Sequence, residues 1–325
     1  MNAEGLDEAL EYYKTNYEFV FDQRFEGDTK IFLGRGNDRV CRFCSRNEDE
    51  TKFGPNTHSH AVPAFLGNRR IFLRDECKEC NAFLGREYED HLGRKSLFAR
   101  SLSRVKKRKG RPAYKDPNGL RVDSTEQQLQ LSPKDLALRE LFENATGPFS
   151  FDLPDAESQT YVPLHAAKAL VKIACSVCPE EDLDQCKHAI DWIMGRLEMK
   201  IEPLYVLQAF TPGPLGDFPG QVALLRRTTD INDPYLWCFV RFGNHRLQFF
   251  VPFAPKDRWM CTGNEVTFRS SHIPDRLHRT QFGETQYFRS DWSSVEETTD
   301  TDKARFQVVG TPTYLPPTEH ESEGE

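Results

Sequence analysis

The chain has 325 residues, a net charge of −7, 38% hydrophobic and 29% charged residues, which is typical of a globular protein with one to three domains. No apolar run approaches the length that crosses a bilayer, and the acidic N-terminal residues do not form a hydrophobic signal core. These features argue against membrane and secreted classes, so we expect a cytoplasmic protein with reduced cysteines.

The N-terminal segment, residues 1–38, predicts a helix and then a strand. Apolar side chains recur at helical spacing through residues 4–21, up to and including Tyr17. Residues 30–33 form a short apolar run that stops before Gly34, which is typical of a strand that ends in a turn.

Four cysteines follow in two tight pairs, Cys41-x2-Cys44 and Cys77-x2-Cys80. One C-x2-C turn can place two thiolates on a metal ion, and two turns complete the four-thiolate arrangement of structural zinc sites. Disulfides or unrelated buried thiols are the alternative, which a reducing cytoplasm disfavours. The spacing therefore predicts a structural zinc site.

Two residues in this frame have the chemistry of a hydrolytic site. His60 can act as a general base because its unperturbed pKa lies near neutrality. Asn81, directly after Cys80, offers a side-chain oxygen to a hard cation such as magnesium or manganese. We expect the cage to bring the two residues together. The alternatives are an ordinary histidine and an asparagine that only caps a helix.

Positive charge concentrates in and after the cysteine segment. Residues 31–112 contain 19 Lys and Arg against 10 Asp and Glu, although the whole chain is acidic. We predict that the densest part contacts nucleic-acid phosphates, the alternative being a solvated surface. Its nine cations are Arg94, Lys95, Arg100, Arg104, Lys106, Lys107, Arg108, Lys109 and Arg111.

The remaining chain predicts a second unit. Residues 112–160 suit short strands, a helix from Pro133 to Asn144 and a linker, and residues 313–325 suit a disordered acidic tail. Residues 161–312 predict an α+β domain with helices packed on a mostly antiparallel sheet. The predicted helices are 163–178 and 181–198, and the predicted strands are 204–210, 221–227, 235–242 and 246–253.

A further C-x2-C pair, Cys175 and Cys178, lies inside an apolar helical pattern and is followed by Cys186 and His188. A second zinc site can be drawn from these residues. We favour core packing, because cysteine in such a pattern behaves as a small hydrophobic residue.

The order Cys-x2-Cys, His-x-x-Pro, Cys-x2-Cys-Asn resembles the HNH endonucleases of the His-Me finger (ββα-metal) superfamily, in the branch with a treble-clef zinc site. The strings at 60–68 and 76–85 are similar to bacterial HNH proteins found near phage-defence genes. The resemblance covers residues 39–92. It implies that His60 is the general base on a β-hairpin and that Asn81 binds a catalytic magnesium or manganese ion. It also implies products with 5′-phosphate and 3′-hydroxyl ends.

The chain departs from this family at two positions. Ser59 stands where many members have a metal-binding Asp or His, so His58, a water, or an acidic or histidine side chain on the following helix has to fill that place. The helix candidates are Glu87, Glu89 and His91. Asn68 is the candidate for the central asparagine of the motif, and it joins His60 and Asn81 in the expected catalytic set.

The expected fold is therefore α+β. A ββα-metal nuclease module with a basic extension occupies residues 39–111, and a separate C-terminal domain has a regulatory or assembly role, through a homo-oligomer or a regulatory partner protein. The expected function is metal-dependent cleavage of double-stranded DNA in phage defence or restriction. The alternative is a non-catalytic zinc module that binds nucleic acid or protein.

Overall fold

The structure is a computed structural model, and it describes residues 3–54, 59–106, 110–115, 121–124, 129–132, 140, 144, 146–147, 149–152, 156–213, 220–257, 272–273, 279–303 and 305–308. Its helices are α1 (Ala3–Asn16), α2 (Lys78–Leu84), α3 (Asp90–Lys95), α4 (Leu97–Leu102), α5 (Pro163–Val177) and α6 (Leu183–Ile193). A π-helical turn, Gly85–Glu89, joins α2 to α3, and 3-10 turns lie at Ala64–Leu66 and Glu180–Asp182.

The strands run the length of the described chain. The first nine are β1 (Tyr17–Arg24), β2 (Ile31–Leu33), β3 (Ser59–His60), β4 (Ile71–Leu73), β5 (Tyr114–Lys115), β6 (Arg121–Ser124), β7 (Leu129–Ser132), β8 (Phe149–Asp152) and β9 (Ala156–Glu157). The others are β10 (Tyr205–Phe210), β11 (Gln221–Arg227), β12 (Leu236–Phe242), β13 (His245–Phe250), β14 (Arg279–Thr280), β15 (Gly283–Glu284), β16 (Gln286–Asp291), β17 (Thr301–Asp302) and β18 (Arg305–Val308).

The predicted N-terminal helix over 4–21 is too long. Helix α1 ends at Asn16, and the next eight residues form β1, which pairs with β11. Aromatic and β-branched residues dominate this segment and favour a strand. The Tyr17 hydroxyl donates to Asp233 Oδ2 at 2.8 Å, which secures the start of the strand against the connection between β11 and β12.

A six-stranded antiparallel sheet contains most of the C-terminal strands, in the order β1-β11-β12-β13-β10-β16. Strand β12 is buried along its whole length, as expected for a strand in the interior of a sheet. The predicted strands at 204–210, 221–227, 235–242 and 246–253 are confirmed within a few residues.

The cysteine segment contains a smaller, three-stranded sheet. Strand β4 lies in its middle, parallel to β2 and antiparallel to β3. The loop between β3 and β4 turns at Gly67, which has a φ of 103° that side chains rarely tolerate. Helix α2 begins shortly after β4, so strand, loop and helix form a ββα unit.

Helix α5 lies at the centre of the molecule. Its sequence is predominantly apolar, and its residues from Ala166 to Val177 are buried with the single exception of Lys168. A helix with so little polar surface has to be enclosed. It contacts α3, the π-helical turn and α6, and its side chains share one hydrophobic cluster with residues of the cysteine segment and of the large sheet.

The fold is α+β, with an N-terminal ββα unit and a sheet-rich region after it. The domain boundaries near residues 39, 112 and 161 stay predictions. The predicted tail at 313–325 and nearly all of the predicted helix from Pro133 to Asn144 lie outside the described residues. Within the described part of the chain, no helix combines the length and apolarity required to span a bilayer.

Candidate functional site

The four cysteines converge as their spacing predicts. The Sγ atoms of Cys41, Cys44, Cys77 and Cys80 all lie within 4.8 Å of one another, and those of Cys44 and Cys77 are 3.8 Å apart. Tetrahedral zinc with Zn–S bonds of about 2.3 Å holds its sulfurs about 3.8 Å apart. The donor set and its size therefore fit one zinc ion with no open coordination position, which is a structural site.

Local backbone geometry prepares this cage. In the first pair, Ser45 N donates to Cys41 O at 2.7 Å, and Ser45 adopts a φ of 61° that closes a tight turn. In the second pair, Cys77 caps the N-terminus of α2, and its sulfur accepts from Cys80 N at 3.4 Å. The Cys41 sulfur accepts from Cys77 N, also at 3.4 Å, which links the two halves. Donors that point at sulfur stabilise thiolates.

Hydrogen bonding within the cage makes one thiol acidic, although burial raises the pKa of Cys77 and the hydrogen bond to Cys41 raises that of Cys80. A hydrogen bond from Cys80 lowers the pKa of Cys41 to about 4, because it stabilises the Cys41 thiolate. Since the thiolate is the form that binds metal, the cage offers a charged ligand at neutral pH.

The hairpin that carries His60 is held from inside by Asn68. The Asn68 side chain is fully buried, and its amide donates to Val62 O at 2.7 Å and to Ile71 O at 2.9 Å. Its Oδ1 accepts from Arg70 N at 3.1 Å and from Ile71 N at 2.9 Å. Expected as a member of the catalytic set, Asn68 instead satisfies four backbone groups of the loop, so it acts by positioning the hairpin.

His60 is half-buried on β3, opposite Phe72 of β4. Its ring packs against the Phe72 ring with centroids 4.8 Å apart, and its carbonyl oxygen accepts from Lys172 Nζ at 3.2 Å. Asn81 lies on α2, one position after Cys80, with an exposed side chain. The strand that pairs with His60 leads directly to Cys77, the residue that caps Asn81's helix. His58 lies outside the described residues.

A buried charge cluster behind His60 is absent from the sequence-based expectations. Lys172 of α5 is 1% exposed, and its Nζ lies 3.0 Å from Glu89 Oε1 and 3.4 Å from Glu76 Oε2. Burial disfavours the charge of Lys172, but the two carboxylates outweigh it and raise its pKa. Burial also raises the pKa of Glu76 to about 7, despite the nearby ammonium. A lysine inside a predominantly apolar helix is the sequence feature that could have indicated this buried cluster.

Glu87, Glu89 and His91 were the candidates on the helix to replace the metal ligand that is missing at Ser59. All three make contacts with other protein groups. Glu89 pairs with Lys172, as described above. His91 Nδ1 accepts from Val162 N at 2.9 Å, at the start of α5, and burial together with Arg94 lowers the pKa of His91. The third, Glu87, accepts from Arg86 Nε at 2.8 Å.

Two of the nine cations expected to bind phosphate are instead largely buried and contact other groups of the protein. Arg100 is 5% exposed, its guanidinium donates to Gly93 O at 2.7 Å, and burial lowers its pKa to about 10. Lys95 lies over the rings of Tyr161 and Trp292 and pairs with Asp300. The prediction is wrong for Lys95 and Arg100, because net charge along a chain does not reveal which cations are used in packing.

The other cations of the stretch differ in their surroundings. Arg94 pairs with Asp90 in the preceding turn of its helix, and Arg111 donates to the carbonyl of Arg104. Lys106 is half-buried. Lys107, Arg108 and Lys109 lie outside the described residues, so their predicted phosphate contacts stay predictions.

The second C-x2-C pair lies in the core. Cys175 and Cys178 at the end of α5 are buried, as is Cys186 of α6. Among the described His, Cys, Asp and Glu residues, the cage is the only group of three or more that could hold a metal ion. The favoured core-packing interpretation agrees with this geometry.

Residues 41–97 match a protein-family model described as HNH endonuclease, and this segment is an HNH endonuclease domain with a four-cysteine zinc site. The match spans the cage, the His60 hairpin, α2 and α3. No curated protein and no solved structure matches the chain.

Proposed function

We propose that the protein is a metal-dependent endonuclease that hydrolyses phosphodiester bonds in nucleic acid, DNA in the first instance, with His60 as general base. The observation that carries this proposal is the construction of the ββα unit. The cage joins the end of the His60 hairpin to the start of the helix that presents Asn81. A purely structural zinc module requires neither side chain.

The surroundings of His60 support this role. Its strand is hydrogen-bonded to β4, and its ring rests on Phe72, so the imidazole has a defined orientation at a half-exposed edge. There it takes a proton from water as the water oxygen attacks phosphorus. A fixed, preoriented base lowers the entropic part of the barrier.

Asn81 supplies an oxygen donor from an exposed helical position. A magnesium or manganese ion held partly by Asn81 would offset the charge on the phosphate and the departing 3′ oxygen. Cys77, through its cap on α2, fixes the orientation of the helix on which Asn81 lies.

The test is cleavage of plasmid DNA and of single- and double-stranded RNA by purified protein with magnesium or manganese. We expect His60→Ala to abolish cleavage while zinc content and thermal unfolding match the wild type. His188→Ala is the matched control, because His188 is an exposed histidine on α6 that contacts the Phe253 carbonyl oxygen, far from the cage in the sequence. Wild-type cleavage by His60→Ala would refute the assignment of the base.

Asn81→Ala gives a separate test of the metal. We expect its cleavage rate to fall most at low magnesium and to recover as the concentration rises, because one ligand is lost while the base remains. An equal loss at every magnesium concentration would contradict a ligand role for Asn81.

The cations at residues 106–109 extend the proposal to substrate binding. Reversal of Lys106, Lys107, Arg108 and Lys109 to Glu should weaken binding to any sequence and flatten its salt dependence. An unchanged salt slope would assign these residues to solvated surface.

The similarity to HNH proteins near phage-defence genes extends the proposal to a cytoplasmic defence or restriction effector, with the C-terminal region controlling assembly or activation. The plating efficiency of phage on cells that express wild type or His60→Ala tests this role. Equal plating would remove defence from the proposal but not cleavage itself. The alternative, a binding module without catalysis, predicts nucleic-acid binding that His60→Ala does not alter and no cleavage by the wild type.

A further inference from the structure

The three-stranded sheet of the HNH domain presents a row of aromatic rings that ends at His60. Phe32 of β2 lies directly opposite Phe72 of β4, and His60 of β3 lies opposite the same residue on the other side. Side chains at opposed positions of neighbouring strands share a face. The Phe32 and Phe72 rings stack with centroids 5.6 Å apart, and Phe72 and His60 follow at 4.8 Å. We name these three residues the aromatic row.

The row lies on the outer face of the sheet. The alternate residues of β4, Ile71 and Leu73, are fully buried on the inner face. Phe32 is 37% exposed, although phenylalanine in a sheet this small would normally be placed inward. An exposed aromatic ring that continues a line of rings toward a candidate catalytic base offers a surface on which a planar group can stack.

Two cations flank the rings on this face. The guanidinium of Arg74 lies 4.5 Å from the centre of the Phe32 ring, and Lys30 Nζ lies 5.7 Å from that of Phe72. Lys30 precedes β2 and Arg74 follows β4, each two residues from a ring of the row, and their contacts with the rings place their charges on the same face. A surface that combines flat rings with positive charge is complementary to bases and phosphates together.

We propose that the aromatic row stacks an unpaired base of the nucleic-acid substrate next to the phosphate that His60 serves, while Lys30 and Arg74 contact the flanking phosphates. This inference rests on the proposed nuclease function and narrows its substrate class. A base inside a duplex has both faces covered by its neighbours, so only a single-stranded, bulged or frayed site offers a face to Phe32. The preferred substrate is therefore nucleic acid that is unpaired at the cleavage point.

The test measures binding of the full-length protein, without added magnesium, to a single-stranded oligonucleotide and to its duplex. Both carry a fluorescent adenine analogue, whose emission reports stacking. Phe32→Leu keeps the apolar volume but removes the ring, and it should weaken single-strand binding about 5- to 150-fold, the range for one stacked base. Phe32→Trp should retain or strengthen binding and the stacking signal, and Phe32→Leu should change duplex binding little.

Phe19→Leu is the matched control, because Phe19 is 57% exposed on β1 of the large sheet, away from the row. It should bind both oligonucleotides like the wild type. Zinc content and thermal unfolding of each variant identify any that fails to fold, and Phe32→Trp then carries the comparison, since it substitutes one ring for another.

Cleavage by the wild type separates the two proposals. If the wild type cleaves and Phe32→Leu binds single strands as tightly as the wild type, stacking is overturned while the nuclease assignment stands. If nothing is cleaved but binding still depends on the ring at position 32, the nuclease assignment falls and the stacking surface remains. Equal losses for single strand and duplex, or no binding by the wild type, would also overturn stacking and favour a protein partner for this face.

Discussion

Removal of the Lys172 charge is the most informative perturbation of the interior. Lys172→Met keeps the length of the side chain but leaves Glu76, whose side chain is 0% exposed, without its cation. Glu89 is 20% exposed at its side chain and can turn toward solvent. Glu76 is enclosed, so loss of the neighbouring ammonium raises its pKa further and the folded variant holds Glu76 protonated.

The magnitude follows from the broken ion pair. Removal of one partner from a buried ion pair costs about 3–5 kcal/mol in general. Burial already raises the pKa of Glu76 to about 7, so part of the cost of protonating it is present in the wild type and the lower end of that range applies. We therefore expect Lys172→Met to lower the free energy of unfolding by about 3 kcal/mol.

Urea unfolding followed by circular dichroism, at pH 7 with zinc present, measures this loss. Lys168→Met is the matched control one turn earlier in α5, where the ammonium lies over the Tyr88 and Trp192 rings and no carboxylate is left behind. It should cost about 1 kcal/mol. The double variant Lys172→Met/Glu76→Gln removes both charges and should recover most of the stability.

A loss below about 1 kcal/mol for Lys172→Met would refute the reasoning. So would a double variant as unstable as the single one, because the cost would then come from packing and not from an uncompensated carboxylate. Cleavage gives an independent measure, since Lys172 Nζ also donates to His60 O. In the double variant, a reduced kcat with an unchanged KM would indicate that Lys172 positions the base.

Three further perturbations probe the cage, the hairpin and a buried histidine. Cys77→Ser should abolish stoichiometric zinc, measured by elemental analysis, and unfold the HNH domain, because only three thiolates remain to hold the metal, although serine can still cap α2; full zinc occupancy would contradict the four-cysteine site. Asn68→Ala leaves buried backbone groups of the loop unpaired, so it should cost about 3 kcal/mol in urea unfolding and reduce cleavage while zinc content is unchanged. Burial lowers the pKa of His272 to about 4. Between about pH 6.5 and pH 4, therefore, His272 is protonated in the unfolded chain but neutral in the folded protein. The free energy of unfolding is therefore reduced as the pH falls from about 6.5 toward 4, by about 2 kcal/mol at pH 5. His272→Gln should remove this part of the pH dependence, measured by urea unfolding across the same range. An unchanged pH dependence would mean that His272 is exposed to water.

The cage was predictable because it depends on local geometry. A C-x2-C turn needs only its own residues to place two sulfurs together, and two such turns with a plausible connection leave little freedom. The strands of the large sheet were predictable for a similar reason, since runs such as 236–242 carry their own β-branched and aromatic signal. Local signals failed at Tyr17, where helical spacing continued into a segment that pairs with β11.

Contacts between distant residues were not predictable in the same way. The Lys172–His60 contact joins residues 112 positions apart, and nothing in either local sequence specifies it. The same limit explains Arg100 and Lys95, whose positive charges were assigned to phosphate although the fold uses them against carbonyls, rings and Asp300. Asn68 was found by motif, but its role as a hairpin brace required its four hydrogen bonds.

Arg42 connects the cysteine cage to α5. It lies between Cys41 and Cys44, and its guanidinium makes a forked ion pair with Asp75 at 2.9–3.1 Å. The remaining nitrogen donates to carbonyl oxygens at the end of α5, including that of Cys175 at 2.7 Å. Those carbonyls have no partner within the helix, and their partial negative charge favours a cation.

At the same helix, Lys172 reaches the other half of the HNH domain through Glu76, the residue before Cys77. Helix α5 therefore meets both cysteine pairs, one through Arg42 and one through Glu76. A zinc ion that orders the two pairs also orders the surface against which α5 packs, and α5 in turn supplies the cation that Glu76 requires. The predicted boundary near residue 161 separates two sequence patterns. Across it, however, Lys172 on the C-terminal side neutralises Glu76 and Glu89 on the N-terminal side. Metal binding, burial of α5 and the orientation of His60 are thus coupled through side chains that neither part of the chain could satisfy alone.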